Sequence, residues 1–213
     1  MPAGLLEHDY SIKNKTWEAS MAEVRDRAGG TRCHHPRRVA VPRERSEKVK
    51  GAVLAGGLGT RLYPLTHVTN KHLLPVFDRP MVYYPIQTLV RAVIREVIVV
   101  TGGPHAGHFQ PLLTDGHRLG LTQLEYVHQE SEGGIAEGLA LCEDFADSQT
   151  IAVVLGDSTT DIDIGPAVRT FAGGARLFFH KVADPKSCGV PVFGPDGKVV
   201  RIEEKPESPK SSY

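Results

Sequence analysis

The sequence predicts an α/β protein with an open, mostly parallel sheet flanked by helices. From about residue 49 onward, short apolar runs alternate with longer segments of helical periodicity. The runs are apolar almost throughout, as expected for parallel strands that are buried on both faces. The first run also leads directly into a glycine-rich loop, at the strand end where sheets of this kind bind ligands.

The individual elements follow from these patterns. The predicted strands are 49–55 (VKGAVLA), 96–102 (EVIVVTG), 122–128 (TQLEYVH), 150–157 (TIAVVLGD), 175–182 (ARLFFHKV), 189–194 (GVPVFG) and 198–204 (KVVRIEE). The predicted helices are 79–94, 105–113, 135–145 and 165–173, the first with Pro80 near its start. The last two strands are separated by a "PDG" turn, which predicts a hairpin.

Composition and charge exclude several classes of protein. Lys plus Arg and Asp plus Glu both number 25, so the net charge of zero gives no reason to expect nucleic acid or an anionic membrane as the main partner. The three cysteines form no CxxC pair, and no apolar run approaches the roughly 18 residues of a membrane span. We therefore expect a cytoplasmic protein.

The first 48 residues differ from the remainder. They are rich in Arg and Pro, show little periodicity and lack the apolar core of a secretory signal. We expect a disordered N-terminal extension over 1–48, or an upstream start that is not used in the cell, followed by one domain over 49–213.

The glycine-rich loop "LAGGLGTRLYPLT" is the first candidate binding site. Gly56, Gly57 and Gly59 allow close approach of the backbone to an anion. Thr60 adds a hydroxyl group and Arg61 adds a guanidinium group. The loop matches neither the dinucleotide fingerprint nor the P-loop. It is therefore either a phosphate cradle of another kind or a plain glycine turn.

Five motifs in order resemble the sugar-1-phosphate nucleotidylyltransferases. They are "KGAVLAGGLGTRLYPLT", "NKHLLPVFDRPMVYYPIQTL", "VLGDS", "CGV" and "IEEKPESPKSSY", which together run from about residue 49 to 213. The segment "KHLLPVFDRPMVYYP" is most similar to the branch of this family that uses glucose 1-phosphate and dTTP. The resemblance implies a Rossmann-like fold of the nucleotide-diphospho-sugar transferase type, and transfer of a nucleotide from dTTP to glucose 1-phosphate with release of pyrophosphate.

The resemblance also implies roles for residues on the nucleotide side. Leu54 and the glycine loop through Arg61 would bind the nucleotide, with Arg61 and Lys71 neutralising its phosphates. Gln129 would hydrogen-bond the edge of the base, and Gly134 would allow its close approach. Without the motifs, Lys71 is an ordinary loop lysine, and the segment 128–138 is a plain glycine-rich loop with the start of a helix.

Asp157 is the implied ligand of a catalytic Mg²⁺ at the end of the strand 150–157. An aspartate in this position can also serve only as a turn or helix cap. The family usually has Asn after this Asp, whereas this chain has Ser158.

On the sugar side, the resemblance implies that Gly189, Glu204 and Lys205 bind the sugar phosphate, with Lys205 also catalytic. Cys188 replaces an aromatic residue that is common there. Family members extend further and carry a second metal-binding aspartate. A catalytically silent module that binds nucleotide or sugar phosphate without turnover is therefore an alternative. A further alternative is the same reaction with another nucleoside triphosphate or sugar 1-phosphate. The family often forms homo-oligomers.

Overall fold

The computed structural model describes residues 6–10, 48–131 and 133–213. Residues 48–170 belong to one compact unit, and residues 6–10 with 171–213 belong to a second. Most of the predicted N-terminal extension lies outside the described residues. Its disorder, and the domain boundary at residue 49, stay predictions.

The chain forms ten strands and five α-helices in its described parts. In chain order, the strands are β1 (Leu6–Tyr10), β2 (Lys50–Ala55), β3 (Pro75–Val76), β4 (Arg79–Pro80), β5 (Glu96–Gly102), β6 (Gln123–Gln129), β7 (Ile151–Leu155), β8 (Ala175–Phe179), β9 (Gly189–Phe193) and β10 (Val199–Glu204). The helices are α1 (Tyr83–Arg91), α2 (Phe109–Leu113), α3 (Gly134–Ala140), α4 (Glu143–Ala146) and α5 (Gly165–Arg169). Single 3₁₀ turns lie at Thr60–Leu62, Leu65–His67, Lys71–Leu73, Ala106–His108, His117–Leu119 and Pro185–Ser187.

The larger unit contains a parallel sheet of four strands in the order β6-β5-β2-β7. Leu54 of β2 is aligned with Val100 of β5 and Leu155 of β7, so the carboxyl ends of these strands lie side by side. The chain moves outward from β2 through β5 to β6 and then returns to the other side of β2. The strand order therefore reverses between β2 and β7, which is where an open α/β sheet binds its ligand. The predicted fold class is confirmed.

Alternate residues of the central strands pack on opposite faces of the sheet. Val53 and Ala55 of β2 join a core cluster with α1 and α2, whereas Ala52 and Leu54 pack with Cys142 and Phe145 of the α3–α4 region. Both faces of β2 are thus covered, as the apolar run predicts. No helix in the described part of the chain is long and apolar enough to cross a bilayer.

The second unit is built from short antiparallel pairs. Strands β9 and β10 form the predicted hairpin, and β1 pairs with β8. The hairpin turn is closed by a hydrogen bond from the Gly197 N–H to the Gly194 carbonyl, 3.0 Å. The backbone N–H of Val182 donates to the carbonyl of Ser212 and ties the C-terminal segment to this unit.

All four predicted helices differ in their bounds from the helices of the structure. Helix α2 begins at Phe109 rather than 105, and α5 ends at Arg169 rather than 173. Helix α1 begins at Tyr83 rather than 79, because Arg79–Pro80 pair with β3 and the Val82 N–H donates to the His72 carbonyl. It ends at Arg91, since Val93 has a φ of 68° and the Ile94 N–H returns to the Leu89 carbonyl. The predicted helix 135–145 is divided into α3 and α4.

Candidate active site

The glycine loop leaves the carboxyl end of β2 and folds back on itself. Gly59 has a φ of 69°, and a Cβ there would lie 2.8 Å from the Cβ of Lys71, so only glycine fits without strain. The Thr66 hydroxyl donates to the Gly59 carbonyl at 2.9 Å. Thr60 and Arg61 form an exposed 3₁₀ turn beside it. The loop thus presents its backbone, a hydroxyl group and a guanidinium group to solvent at the switch point.

Lys71 links this loop to the end of β7. Its Nζ lies 2.5 Å from Asp157 Oδ2, across 86 positions of sequence. A Cβ on Gly57 would lie 3.2 Å from Cε and 3.3 Å from Nζ of Lys71, so the lysine side chain runs directly over the loop. Gly57, Lys71 and Asp157 therefore come together, and their roles in binding stay predictions.

Asp157 follows β7 by two residues and is ionised. Burial raises the pKa of its carboxyl group, but the hydrogen bond and charge of Lys71 more than offset this, and the pKa lies below its ordinary value. It does not cap a helix, since the next helix begins at Gly165, where Asp163 Oδ1 instead accepts the backbone N–H at 2.8 Å. An ionised, half-exposed carboxylate is a suitable oxygen ligand for Mg²⁺.

No group of three or more His, Cys, Asp or Glu side chains that could hold a metal occurs in the ranges the structure describes. Asp157 would therefore be one protein ligand of an ion whose other positions are filled by phosphate oxygens and water, which is how Mg²⁺ is commonly bound beside phosphates.

Gln129 ends β6 and lies against the same loop. Its Nε2 donates to the Gly134 carbonyl at 3.2 Å and to Glu137 Oε2 at 2.5 Å. A Cβ on Gly56 would lie 2.6 Å from Gln129 Oε1, so the absence of a side chain at Gly56 makes room for the amide. Leu54 is close by, because a Cβ on Gly138 would approach both Gln129 Oε1 and Leu54 Cδ2. Gly134 has a φ of 78° and begins α3.

A cleft of about 480 Å³ lies beside the Lys71–Asp157 pair. Its other lining residues are apolar: Leu62, Leu65, Leu74, Pro75, Val76 and Met81. The ion pair therefore sits at the wall of a mostly apolar cleft, which favours binding of a molecule with both charged and apolar parts.

Asn70 and His72 flank Lys71 in the chain and were not among the predicted site residues. Both are almost fully buried. Asn70 Oδ1 accepts the His72 backbone N–H at 3.0 Å and lies 2.6 Å from His72 Nδ1. Burial, and secondarily the charge of Lys71, lower the pKa of His72 to about 4 although Asp157 opposes them, so the ring is neutral at pH 7. The only signal in the sequence is the polar triplet Asn70–His72 beside an apolar run.

The residues predicted for the sugar side lie together in the second unit. Glu204 is the register partner of Gly189, and the Lys205 N–H donates to the Cys188 carbonyl at 2.9 Å. Lys205 Nζ is 3.6 Å from Glu204 Oε1. The structure brings these three residues to one end of the β9–β10 hairpin. Their joint use with the Lys71–Asp157 pair stays a prediction.

Several known proteins are similar to this chain in sequence. The family model described as nucleotidyl transferase matches residues 50–213. Glucose-1-phosphate thymidylyltransferases of Actinoplanes sp. and Mycolicibacterium smegmatis are 45% and 42% identical to this chain, each over 78% of it. The alignments cover 55% and 58% of those relatives, so the chain spans little more than half of their length.

A solved structure supports the fold. A Bacillus anthracis protein assigned as a glucose-1-phosphate thymidylyltransferase, crystallised with sucrose, superposes with a TM-score of 0.69 at 40% identity. The match covers 78% of this chain and 68% of the Bacillus protein.

Proposed function

Since the chain belongs to the nucleotidyl transferase family, we propose that it transfers the thymidylyl group of dTTP to glucose 1-phosphate and releases pyrophosphate. The contact between Lys71 and Asp157 beside the glycine loop carries this proposal, because it places a cation and an ionised carboxylate where an α/β sheet binds phosphates. The names of the relatives indicate the substrates.

The reaction depends mainly on positioning and charge. An oxygen of the sugar phosphate attacks the α-phosphorus of dTTP, and the bond from that phosphorus to the bridging oxygen breaks as pyrophosphate leaves. The glycine loop, Thr60 and the cations Arg61 and Lys71 neutralise charge that grows on the leaving group. Lys71 also holds Asp157 in place through their 2.5 Å contact.

Mg²⁺ is the proposed cofactor, with Asp157 as its ligand in this chain. The ion would neutralise the phosphates and orient them. Asp157 is already ionised and half-exposed, so it needs no proton loss to bind the ion.

The remaining proposed contacts select the substrates. Gln129 reads the base next to Leu54, Gly56 and Gly134, and Gly189, Glu204 and Lys205 bind the sugar phosphate. We also propose a cytoplasmic location, no binding of nucleic acid or membrane, and assembly as a homo-oligomer, as in the family that the sequence resembles.

A second candidate is a module that binds nucleotide or sugar phosphate without turnover. Within the described residues, Asp157 is not part of any group of three or more side chains that could hold a metal ion, which favours this alternative. A third candidate keeps the chemistry with another triphosphate or sugar 1-phosphate.

The deciding experiment measures pyrophosphate release from dTTP, glucose 1-phosphate and Mg²⁺. We expect Asp157→Asn to lower the rate about 100-fold or more, since it removes the charge that binds the ion. The matched control is Asp161→Asn, which neutralises an exposed carboxylate in the same segment and should leave the rate unchanged.

Two results would count against the proposal. Binding of dTTP without any pyrophosphate release by the unsubstituted chain would favour the silent module. Equal rates with dTTP, UTP, CTP and GTP would overturn the thymidylyl assignment while keeping the reaction class.

A further inference from the structure

Glu137 holds the side chain of Gln129 from the first turn of α3. One carboxylate oxygen of Glu137, Oε2, accepts Gln129 Nε2 at 2.5 Å and the Gly133 N–H at 2.9 Å. The other, Oε1, accepts the Ser131 hydroxyl at 2.6 Å. A Cβ on Gly133 would collide with the same carboxylate, so the backbone is shaped around it. Glu137 is thus fixed by three donors.

These contacts determine which way the Gln129 carboxamide faces. The two partners of its Nε2, the Gly134 carbonyl and the Glu137 carboxylate, can only accept hydrogen bonds. The amino group must therefore point toward them, and the orientation follows from the chemistry of the partners. Hydrogen bonds from Ser131 and Gln129 also hold the pKa of Glu137 below its ordinary value, which keeps the group ionised and acceptor-only.

The carboxamide oxygen of Gln129 is available to accept a hydrogen bond from a ligand. Gln129 Oε1 takes no hydrogen bond from any residue in the described part of the chain, and it is not fully buried. It faces Gly56, at the start of the glycine loop. Residue 129 is only 9% exposed, so its side chain has little freedom to reorient without breaking the bonds to Glu137.

We propose that Glu137 is a positioning residue that makes Gln129 a hydrogen-bond acceptor and thereby selects pyrimidines with a ring N–H. Thymine and uracil have an N3–H group that can donate a hydrogen bond to Oε1. In cytosine, N3 instead carries a lone pair, which Oε1 repels. This inference rests on the proposed function, because it requires that a pyrimidine nucleotide occupy the site.

Without Glu137, the carboxamide can rotate by half a turn and present Nε2 to cytosine. The Gly134 carbonyl would then be the remaining partner that opposes this rotation. Selection between thymine and cytosine should therefore weaken when Glu137 is removed, even though Glu137 touches neither base.

The test compares the dissociation constants of dTTP and dCTP for the full chain by calorimetry. We expect Glu137→Ala to lower the preference for dTTP over dCTP about tenfold, the effect of one hydrogen bond to a charged group. In turnover, this loss should appear in KM for dTTP more than in kcat. A purely structural role would weaken the binding of both nucleotides equally and leave their ratio unchanged.

Two variants serve as controls. Glu137→Gln should retain the preference, because its carbonyl oxygen can accept from Gln129 and Gly133 while its amino group donates to Ser131 in place of accepting from it. Glu130→Ala removes an exposed carboxylate next to Gln129 and should also leave the ratio unchanged.

A measurement on the unsubstituted chain keeps the proposal testable if Glu137→Ala does not fold. The N3-methyl derivative of dTTP lacks the N3–H group that would donate a hydrogen bond to Oε1. We expect its dissociation constant to be at least about tenfold higher than that of dTTP.

The outcomes separate this inference from the proposed function. A chain that prefers dTTP, but keeps its preference in Glu137→Ala, overturns the inference alone. Equal affinity of the unsubstituted chain for dTTP and dCTP, or for dTTP and its N3-methyl derivative, overturns it as well. A chain that binds no nucleotide at all overturns both.

Discussion

At the scale of single residues, His72 is a buried group that packs next to the Lys71–Asp157 pair. The residue is 2% exposed, its Nδ1 lies 2.6 Å from Asn70 Oδ1, and its ring occupies the space where a side chain on Gly156 would lie. Its backbone carbonyl accepts the Val82 N–H at 2.8 Å at the start of α1. His72 thus joins the segments that carry Lys71 and Asp157, and it does so as a neutral ring.

This neutral ring predicts a loss of stability in acid. The pKa of His72 falls from 6.5 in the unfolded chain to about 4 in the folded one, so between these values only the unfolded state binds the proton. The free energy of unfolding should therefore decrease as the pH falls from 6.5 to 4, by up to about 3 kcal/mol from this residue. Urea unfolding between pH 4 and 7 measures the effect.

His72→Gln is the matched variant, since its amide can still donate to Asn70 but does not titrate. We expect it to have a shallower dependence of stability on pH over this range than the unsubstituted chain. Parallel profiles for the two proteins would show that His72 does not carry the effect.

At the scale of elements, the packing of β2 against α1 depends on a glycine. A Cβ on Gly51 would lie 2.8 Å from Leu89 Cδ1, 3.1 Å from Val97 Cγ2 and 3.2 Å from Ile94 Cγ2. Leu89 belongs to the buried face of α1 and is fully buried. The strand and the helix can approach this closely because residue 51 has no side chain.

A double-mutant cycle tests that contact. Gly51→Ala should destabilise the chain by about 1–3 kcal/mol through overpacking, and Leu89→Ala by about 2–5 kcal/mol through a cavity. The two together should cost less than their sum, because the added methyl group enters the space that Leu89 vacates. Denaturant unfolding of the four proteins gives the coupling energy, and simple additivity would contradict the close contact.

At the scale of the whole molecule, the outer strand of the parallel sheet is exposed. Strand β7 pairs with β2 on one side only within the part of the chain that the structure describes. Val153 and Leu155 are 39% and 38% exposed, on the face that β2 buries with Ala52 and Leu54. An apolar strand edge in a chain of zero net charge promotes association.

We therefore expect concentration-dependent association near neutral pH, weakened by Val153→Lys. Sedimentation velocity over a range of protein concentrations measures it. Val68→Lys adds the same charge to an exposed valine just after the glycine-rich loop and should have a smaller effect. Equal association of the unsubstituted chain and Val153→Lys would exclude β7 as the contact.

Much of the fold could be predicted because its signals are local. Apolar runs and helical periodicity located the four strands of the parallel sheet to within a residue or two, as with 96–102 for β5. The boundaries of helix α1 were wrong, because they depend on the pairing of Arg79–Pro80 and on the positive φ of Val93. Such contacts leave no periodic pattern in the sequence.

The α/β class, the glycine loop and the motifs that identify the family could all be recognised before the fold was known. Those properties depend on residue types at short spacing, which a linear chain displays directly. The folded chain was needed to show that β7 lies beside β2, which brings Asp157 to Lys71. It was also needed to show the contact of Glu137 with Gln129 and the buried contact of Asn70 with His72. The order of strands and the partners of buried polar groups are set by packing between distant segments, and therefore appear only when the chain has folded.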